Sequence, residues 1–352
     1  MHCAAEGIHQ YVDRRTGRVC TEKLFSDRAI RLIYCDLREK APVLFRLCVS
    51  ARMSSLLGWL NYDLPFGSGL TGAGKALRDL GVDLRECVQP PTYYKSLKRI
   101  FERQIRYWQY RPMPEDKNVV VAPADSRMLM GSLNPEHLFF VKDKFFTFEE
   151  ILGRDKDKWL KRFQNGDFAM FRLTPEKYHY NHAPVSGKVL DIYEISGDYH
   201  CCNPGAVVET VTPFSKNKRV VTIIDTDVCG GTGCGVVAMI EVVALMIGRI
   251  DQAYSSKRYE KPMDVRPGMM LEKGQPKSLY RPGSSQDILL FEPGKVDFDP
   301  DIAENVRRSD VRSRYSMGFG QSLVETEVQV RMSIAKAAGE EKEAERTYFF
   351  PG

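Results

Sequence analysis

The segment Arg281-Pro282-Gly283-Ser284-Ser285, followed at once by the apolar run 288–291, holds a residue pair that can do chemistry on the chain itself. Glycine has no side chain to shield its carbonyl, so the next hydroxyl can approach it. A serine hydroxyl becomes a nucleophile only with a base beside it. Two histidines offer one, in Tyr178-His179-Tyr180-Asn181-His182-Ala183-Pro184, and a carboxylate stands in Pro123-Ala124-Asp125-Ser126. Each feature also has a plainer reading. Gly-Ser-Ser suits an ordinary turn. Asp125 after Pro123 suits a turn residue accepting backbone hydrogen bonds. Either histidine suits a packed core. As a metal pair, His179 and His182 lack the further ligands zinc requires, so no metal is expected.

Together, and in this chain order, the three motifs resemble the phosphatidylserine decarboxylase family, pyruvoyl-dependent enzymes that make phosphatidylethanolamine. Further stretches are similar to the family: 11–17 (YVDRRTG), 57–59 (LGW), 217–221 (NKRVV) and 291–296 (FEPGKV). The departures are small. Ser285 replaces a commoner Thr, Ser126 follows the Asp where many members have Gly, glycines 230, 231, 233 and 235 lengthen a turn, and Pro282 restricts the backbone just before the scissile pair.

The resemblance implies a self-cleaving decarboxylase. Ser284 Oγ attacks the Gly283 carbonyl to give an ester. β-Elimination leaves dehydroalanine at position 284, and hydrolysis releases ammonia. A pyruvoyl group then caps a small chain, 284–352, that stays with the larger chain, 1–283. Losing CO2 from an amino acid needs an electron sink, which such a carbonyl supplies by forming a Schiff base with the substrate amine. By the same resemblance His182 is the base for Ser284, with Asp125 on its far ring nitrogen to fix the tautomer. His179 is assigned to the later decarboxylation step. His200, beside Cys201-Cys202-Asn203-Pro204-Gly205, is a candidate substrate-pocket residue. The implied substrate is phosphatidylserine and the implied setting a membrane surface, as a peripheral protein on the cytoplasmic face. Nucleic acid is not an expected partner, and a homodimer is one expected assembly. Two rivals stand beside this reading: the same chemistry on a free aromatic amino acid, and a non-enzymatic binding protein on an inactive scaffold.

Bulk properties are compatible with this but not specific to it. The chain has 352 residues, 43% hydrophobic and 28% charged, as in globular proteins. A net charge of +5 favours anionic surfaces only mildly. Nine scattered cysteines without a Cys-x-x-Cys pair suggest a reducing compartment. No basic stretch followed by an apolar one marks a cleaved signal at the N-terminus. Residues 228–248 approach the length of a membrane span, but Glu241 and several glycines interrupt them, so buried strand is the better reading.

The positioning elements point to an α+β fold, with a helical N-terminal region packed on a largely β catalytic domain. Residues 1–115 read mainly as helix, 116–335 as the β-rich domain, and 336–352 as an Ala/Glu/Lys-rich tail. Within the first part, 44–60 has helical spacing. In 92–110, Leu97, Ile100, Phe101, Ile105 and Trp108 form one apolar face. Lys95, Lys98, Arg99, Arg103 and Arg106 form a cationic face, suited to solvent or to an anionic bilayer. Strands are expected at 119–121, 138–141, 168–173, 187–190, 220–224, 236–243 and 288–291, and one or two helices across 149–164.

Overall fold

A computed structural model of the chain describes residues 7–24, 27, 30, 32–50, 81–138, 140–141, 144–245, 249–281 and 285–339. Pro282, Gly283 and Ser284, the Leu57-Gly58-Trp59 motif, the second half of the 44–60 pattern and most of the tail lie outside the described residues.

β-Branched and aromatic runs become strands, as their side chains fit a pleated, buried surface. In chain order these are β1 (Gln10–Asp13), β2 (Arg18–Thr21), β3 (Val119–Val121), β4 (Ser126–Ser132), β5 (Asp167–Leu173), β6 (Tyr180–His182), β7 (Gly187–Ile195) and β8 (Arg219–Asp225). They continue as β9 (Val236–Val243), β10 (Ile250–Gln252), β11 (Met270–Leu271), β12 (Pro276–Tyr280), β13 (Ser285–Phe291), β14 (Val296–Phe298), β15 (Thr326–Val328) and β16 (Ser333–Ala337). Ten form one sheet in the order β11-β7-β8-β9-β13-β5-β4-β15-β1-β2. Two three-stranded sheets, β10-β12-β6 and β14-β16-β3, accompany it. The α+β class expected from the sequence is the one observed.

The run that approaches a membrane span in length contains β9, buried at every position and paired with β8 and β13. No described helix is long and apolar enough to cross a membrane. The expected strand at 138–141 is reduced to a single bridge between Ser132 and Phe140. The 149–164 pattern resolves into two short helices, Phe148–Leu152 and Asp157–Phe163, separated by Gly153 with its positive φ of 99°.

The N-terminal region is not helical throughout. Its β1–β2 hairpin joins the edge of the large sheet through parallel pairing of β1 with β15. A buried ionic network fastens it there. Arg172 on β5 bonds Glu22 (Nη2–Oε2 2.7 Å) and Glu325 (Nε–Oε1 2.9 Å), and Arg127 on β4 reaches Glu22 at 2.5 Å. His9 Nδ1 accepts from the Arg314 N–H at 3.1 Å, so its proton sits on Nε2 and is donated to Glu325 at 2.8 Å. His9, Glu22 and Glu325 lie close enough to share a cation; the guanidinium groups fill that role.

Removing one partner of a buried ion pair leaves the other uncompensated, so Arg172→Ala should lower unfolding stability by about 3–5 kcal/mol, read as a lower urea midpoint. Burial alone would raise the carboxyl groups of Glu22 and Glu325, but Arg172 outweighs it and holds both below their usual range. Their contribution is therefore complete above about pH 4.3 and is lost as the pH falls towards the folded values. In Arg172→Ala the acid-dependent part of the loss should shrink.

Candidate active site

The small sheet places the histidine motif. β6 runs antiparallel to β12, with Tyr180 opposite Leu279, Asn181 opposite Ser278 and His182 opposite Pro276. One step further, the Tyr280 N–H donates to the His179 carbonyl at 3.1 Å. β12 leads directly into 281–284 and β13 leads out, so His179 lies opposite Tyr280, three residues before Gly283. His182 lies further down the strand. β12 and β13 belong to different sheets, and the segment crosses between them.

Both ends of the crossing are fixed. Arg281 pairs with Glu102 at 2.9 Å and with Asp251 at 2.6 Å, and its N–H donates to the Arg249 carbonyl. On the far side Ser285 lies between Leu173 of β5 and Val243 of β9. The Cys202 thiol donates to the Ser285 carbonyl at 3.8 Å.

The Asp125 turn is brought to the histidines by the backbone: the His182 N–H donates to the Pro123 carbonyl at 2.8 Å. The carboxylate itself does not bond His182. It is gripped by Arg111 (Nη2–Oδ2 2.7 Å, Nε–Oδ1 3.0 Å) and accepts the Val330 N–H at 2.9 Å. Burial would raise its pKa, but the Arg111 charge and hydrogen bonds outweigh this and hold Asp125 below the usual carboxylate range. The partner expected of Asp125 on the far nitrogen of His182 is instead the Gly274 carbonyl, which accepts from Nδ1 at 2.8 Å. Nε2 then accepts from the Tyr178 hydroxyl at 2.9 Å. Burial lowers the imidazole to about 3, so the ring is neutral with its proton on Nδ1. Gly274 is required here: its φ is +77°, and a Cβ would lie 2.3 Å from Met113 Sδ.

His179 differs. Its ring stacks on Phe101, with centroids 3.5 Å apart, and it is fully buried. Neither ring nitrogen stands in hydrogen-bond geometry with a described residue. Burial first, then the Arg103 charge, hold it well below the usual imidazole range. His200 lies on the other side of the crossing. Asn217 clamps its backbone, accepting the His200 N–H at 2.7 Å and donating to its carbonyl at 2.9 Å and to that of Val243 at 2.8 Å. The His200 ring packs by Tyr34 and Phe45, and burial lowers it to about 4.

The cationic helix expected over 92–110 is not one helix. Two short ones, Leu97–Phe101 and Tyr107–Tyr110, flank an extended stretch in which Ile105 bridges Cys87. Backbone bonds from Val88 to Gln104 and from Arg106 to Glu86 hold that stretch and outcompete the helix. The break sends Phe101 onto His179 and Tyr107 against His182, whose centroids are 4.7 Å apart. Arg103, expected on the outer face, is buried and donates to the Ile100 and Glu176 carbonyls. The segment thus walls the site instead of lying free. Arg103, Arg111 and Gly274 were not visible as site residues in the sequence, since each acts on a partner remote in the chain.

The gathered chemistry is a pair of neutral buried imidazoles and a fixed carboxylate, beside the anchored residues Arg281 and Ser285 that flank the Gly-Ser bond in the chain. The family model for phosphatidylserine decarboxylase matches residues 97–323. A phosphatidylserine decarboxylase proenzyme of Fusobacterium nucleatum is 30% identical over 311 residues, 88% of this chain and 95% of its own length. One of Chlamydia trachomatis is 27% identical over 320 residues, 88% of this chain and 96% of its own. Proenzyme 3 of Schizosaccharomyces pombe is 26% identical over 318 residues, which cover 88% of this chain and 31% of that longer protein. With that match running through both histidines, Asp125 and the crossing, the chain belongs to the phosphatidylserine decarboxylase family.

Proposed function

We propose that this chain cuts itself between Gly283 and Ser284 and then decarboxylates phosphatidylserine to phosphatidylethanolamine and CO2. The observation that carries the reading is the β6–β12 pairing, which sets the His179–His182 segment against the strand entering the Gly-Ser pair. In the first step a neutral imidazole takes the Ser284 Oγ proton, and Oγ adds to the Gly283 carbonyl. The C–N bond breaks, the former amide nitrogen takes up the proton, and an ester remains. Loss of the Ser284 α-proton then expels the Gly283 carboxylate, and water releases ammonia from the dehydroalanine. We assign the base to His182, whose Nδ1–H is held by Gly274 so that Nε2 is free of a proton. The register favours one second assignment, His179 as the base, because it lies opposite Tyr280 at the entry to the crossing.

On the described flanks of the crossing stand two fully buried polar groups, the His179 imidazole and the Ser285 hydroxyl. They suit a pyruvoyl group at position 284. Such a group supplies a carbonyl that binds the substrate amine and draws electrons from its Cα as CO2 leaves. β5 and β9 would hold its flanking Ser285, and His179 would hand a proton to the product carbon. Phe101, Tyr107 and Tyr178 keep water from this corner, which strengthens every charge interaction within it. The lipid reading, with peripheral attachment to a membrane surface, is supported by the helix Pro42–Cys48. It exposes Val43 (72%), Leu44 (50%) and Leu47 (53%).

Ser284→Ala should give one uncut chain without activity. His182→Ala should also remain uncut, whereas His179→Ala should cut but lose about 100-fold or more in decarboxylation. The reverse pattern on a denaturing gel exchanges the two roles. Cleaved protein should form phosphatidylethanolamine from phosphatidylserine in mixed vesicles and leave free aromatic amino acids untouched; the opposite preference contradicts the substrate. In the Ser284→Ala chain, nitrogen NMR should show His182 neutral, with its proton on Nδ1, at pH 5. The unfolded chain binds protons on His182 and His200 from about pH 6.5 downwards, while the folded chain does not until about 3 and about 4. Stability should therefore fall as the pH drops from about 6.5 to about 4, seen as a lower urea midpoint at pH 5 than at pH 7.

A further inference from the structure

At the end of β12, where Tyr280 pairs with His179, a second set of buried polar groups meets across the crossing. The Tyr280 hydroxyl, on the last residue of β12, accepts the Val242 N–H at 3.1 Å. It lies 2.8 Å from the Gln286 carbonyl and 2.8 Å from Asp287 Oδ1, both on β13. Tyr280 and Asp287 are fully buried. A hydroxyl has one proton, and two acceptors stand within bonding distance of it. Both contacts are satisfied only when one partner brings its own proton, and a backbone carbonyl cannot. Asp287 can, as a carboxylic acid.

The neighbours agree. Asp287 faces Glu241 across the β13–β9 pair. Glu241 already takes the nearby cation, with Lys277 at 2.7 Å, and accepts from Asn181, Gln252 and Ser278 as well. Among the described residues no second cation is bonded to Asp287, and two adjacent buried carboxylates do not both ionise. Burial and the Glu241 charge push the Asp287 carboxyl well above its usual range.

We infer that Tyr280 and a neutral Asp287 form a clasp that spans the scissile bond and positions the crossing for self-cleavage. The inference rests on the self-cleaving reading above. Tyr280 closes the chain on itself from the last residue of one sheet to the second and third residues of a strand in the other. It thereby ties together the two flanks of the segment that holds Gly283 and Ser284. After cleavage Tyr280 belongs to the larger chain and Asp287 to the smaller, and the same bonds keep position 284 in register. Both are positioning residues.

The test is the rate of self-cleavage of the full chain in cell-free synthesis, followed as the uncut fraction over time. Losing one such buried hydrogen bond should slow Tyr280→Phe and Asp287→Ala about tenfold each. The double variant should be no slower than the worse single one, because the two groups act as one clasp. Asp287→Asn should cut at close to the wild-type rate, since an amide N–H donates where the acid O–H did. Rescue by Asn and coupling between the two sites are effects that general destabilisation does not produce. Wild-type rates in Tyr280→Phe and Asp287→Ala would overturn the clasp and leave the self-cleaving reading intact. Asp287→Asn as slow as Asp287→Ala would overturn the neutral acid. A wild-type chain that never cuts would overturn the reading and the clasp together.

Discussion

The structure turns on one constraint: the chain must pass from a three-stranded sheet into the centre of a ten-stranded one within residues 281–284. β12 is held by β6 and β10, and β13 by β5 and β9, so neither flank of the crossing can slide. Register sets everything nearby. A shift of one residue in β12 would turn every side chain of that strand to the other face. Tyr280 would then leave Asp287, and the His179 carbonyl would lose its partner. The same anchoring allows a covalent break. β13 is a central strand with full ladders on both sides, and β15 and β16, further along the same piece, pair with β4 and β1 and with β3. A chain cut at the crossing stays folded because its sheets hold both pieces.

Burial dictates the second layer of the account. Around the crossing each buried carboxylate that carries charge has a cation, Asp125 with Arg111 and Glu241 with Lys277. Asp287, without a bonded cation among the described residues, and the buried imidazoles of His179 and His182 are neutral. Desolvation decides this, since an isolated charge costs more in the interior than a shift in protonation. The consequence is chemical. An imidazole kept neutral by its surroundings is available as a base at any pH a cell offers, and a carboxylic acid kept neutral can donate a hydrogen bond. The ionic network of His9, Glu22, Arg127, Arg172 and Glu325 uses the same rule for structure, fastening a hairpin to an otherwise open sheet edge.

What could be read in the sequence follows from which forces are local. Val119–Val121 and Val236–Val243 appear as strands with the expected bounds, because β-branched runs state their own preference. The order of Asp125, His179, His182 and Gly283-Ser284 was legible because chemistry restricts residue type. The 92–110 helix was not, since its break depends on Cys87 and on two histidines over 70 residues away. The hairpin of β1 and β2 was absorbed into a helical region because its partner, β15, lies more than 300 residues further along the chain. The carboxylate placed behind His182 by analogy turned out to be a backbone carbonyl. Periodicity carries no information about a carbonyl that a positive-φ glycine delivers from a remote turn.

Intact-mass spectrometry of the purified protein tests the central claim most directly. From 40.1 kDa, cutting before Ser284 predicts pieces of about 32 and about 8 kDa in proportion to length. Conversion of an N-terminal serine to a pyruvoyl group is a net loss of one ammonia, so the small piece should be about 17 Da lighter than the plain 284–352 peptide. That pair of masses is the predicted result. A small chain at the plain peptide mass, or a single uncut chain, would contradict the account.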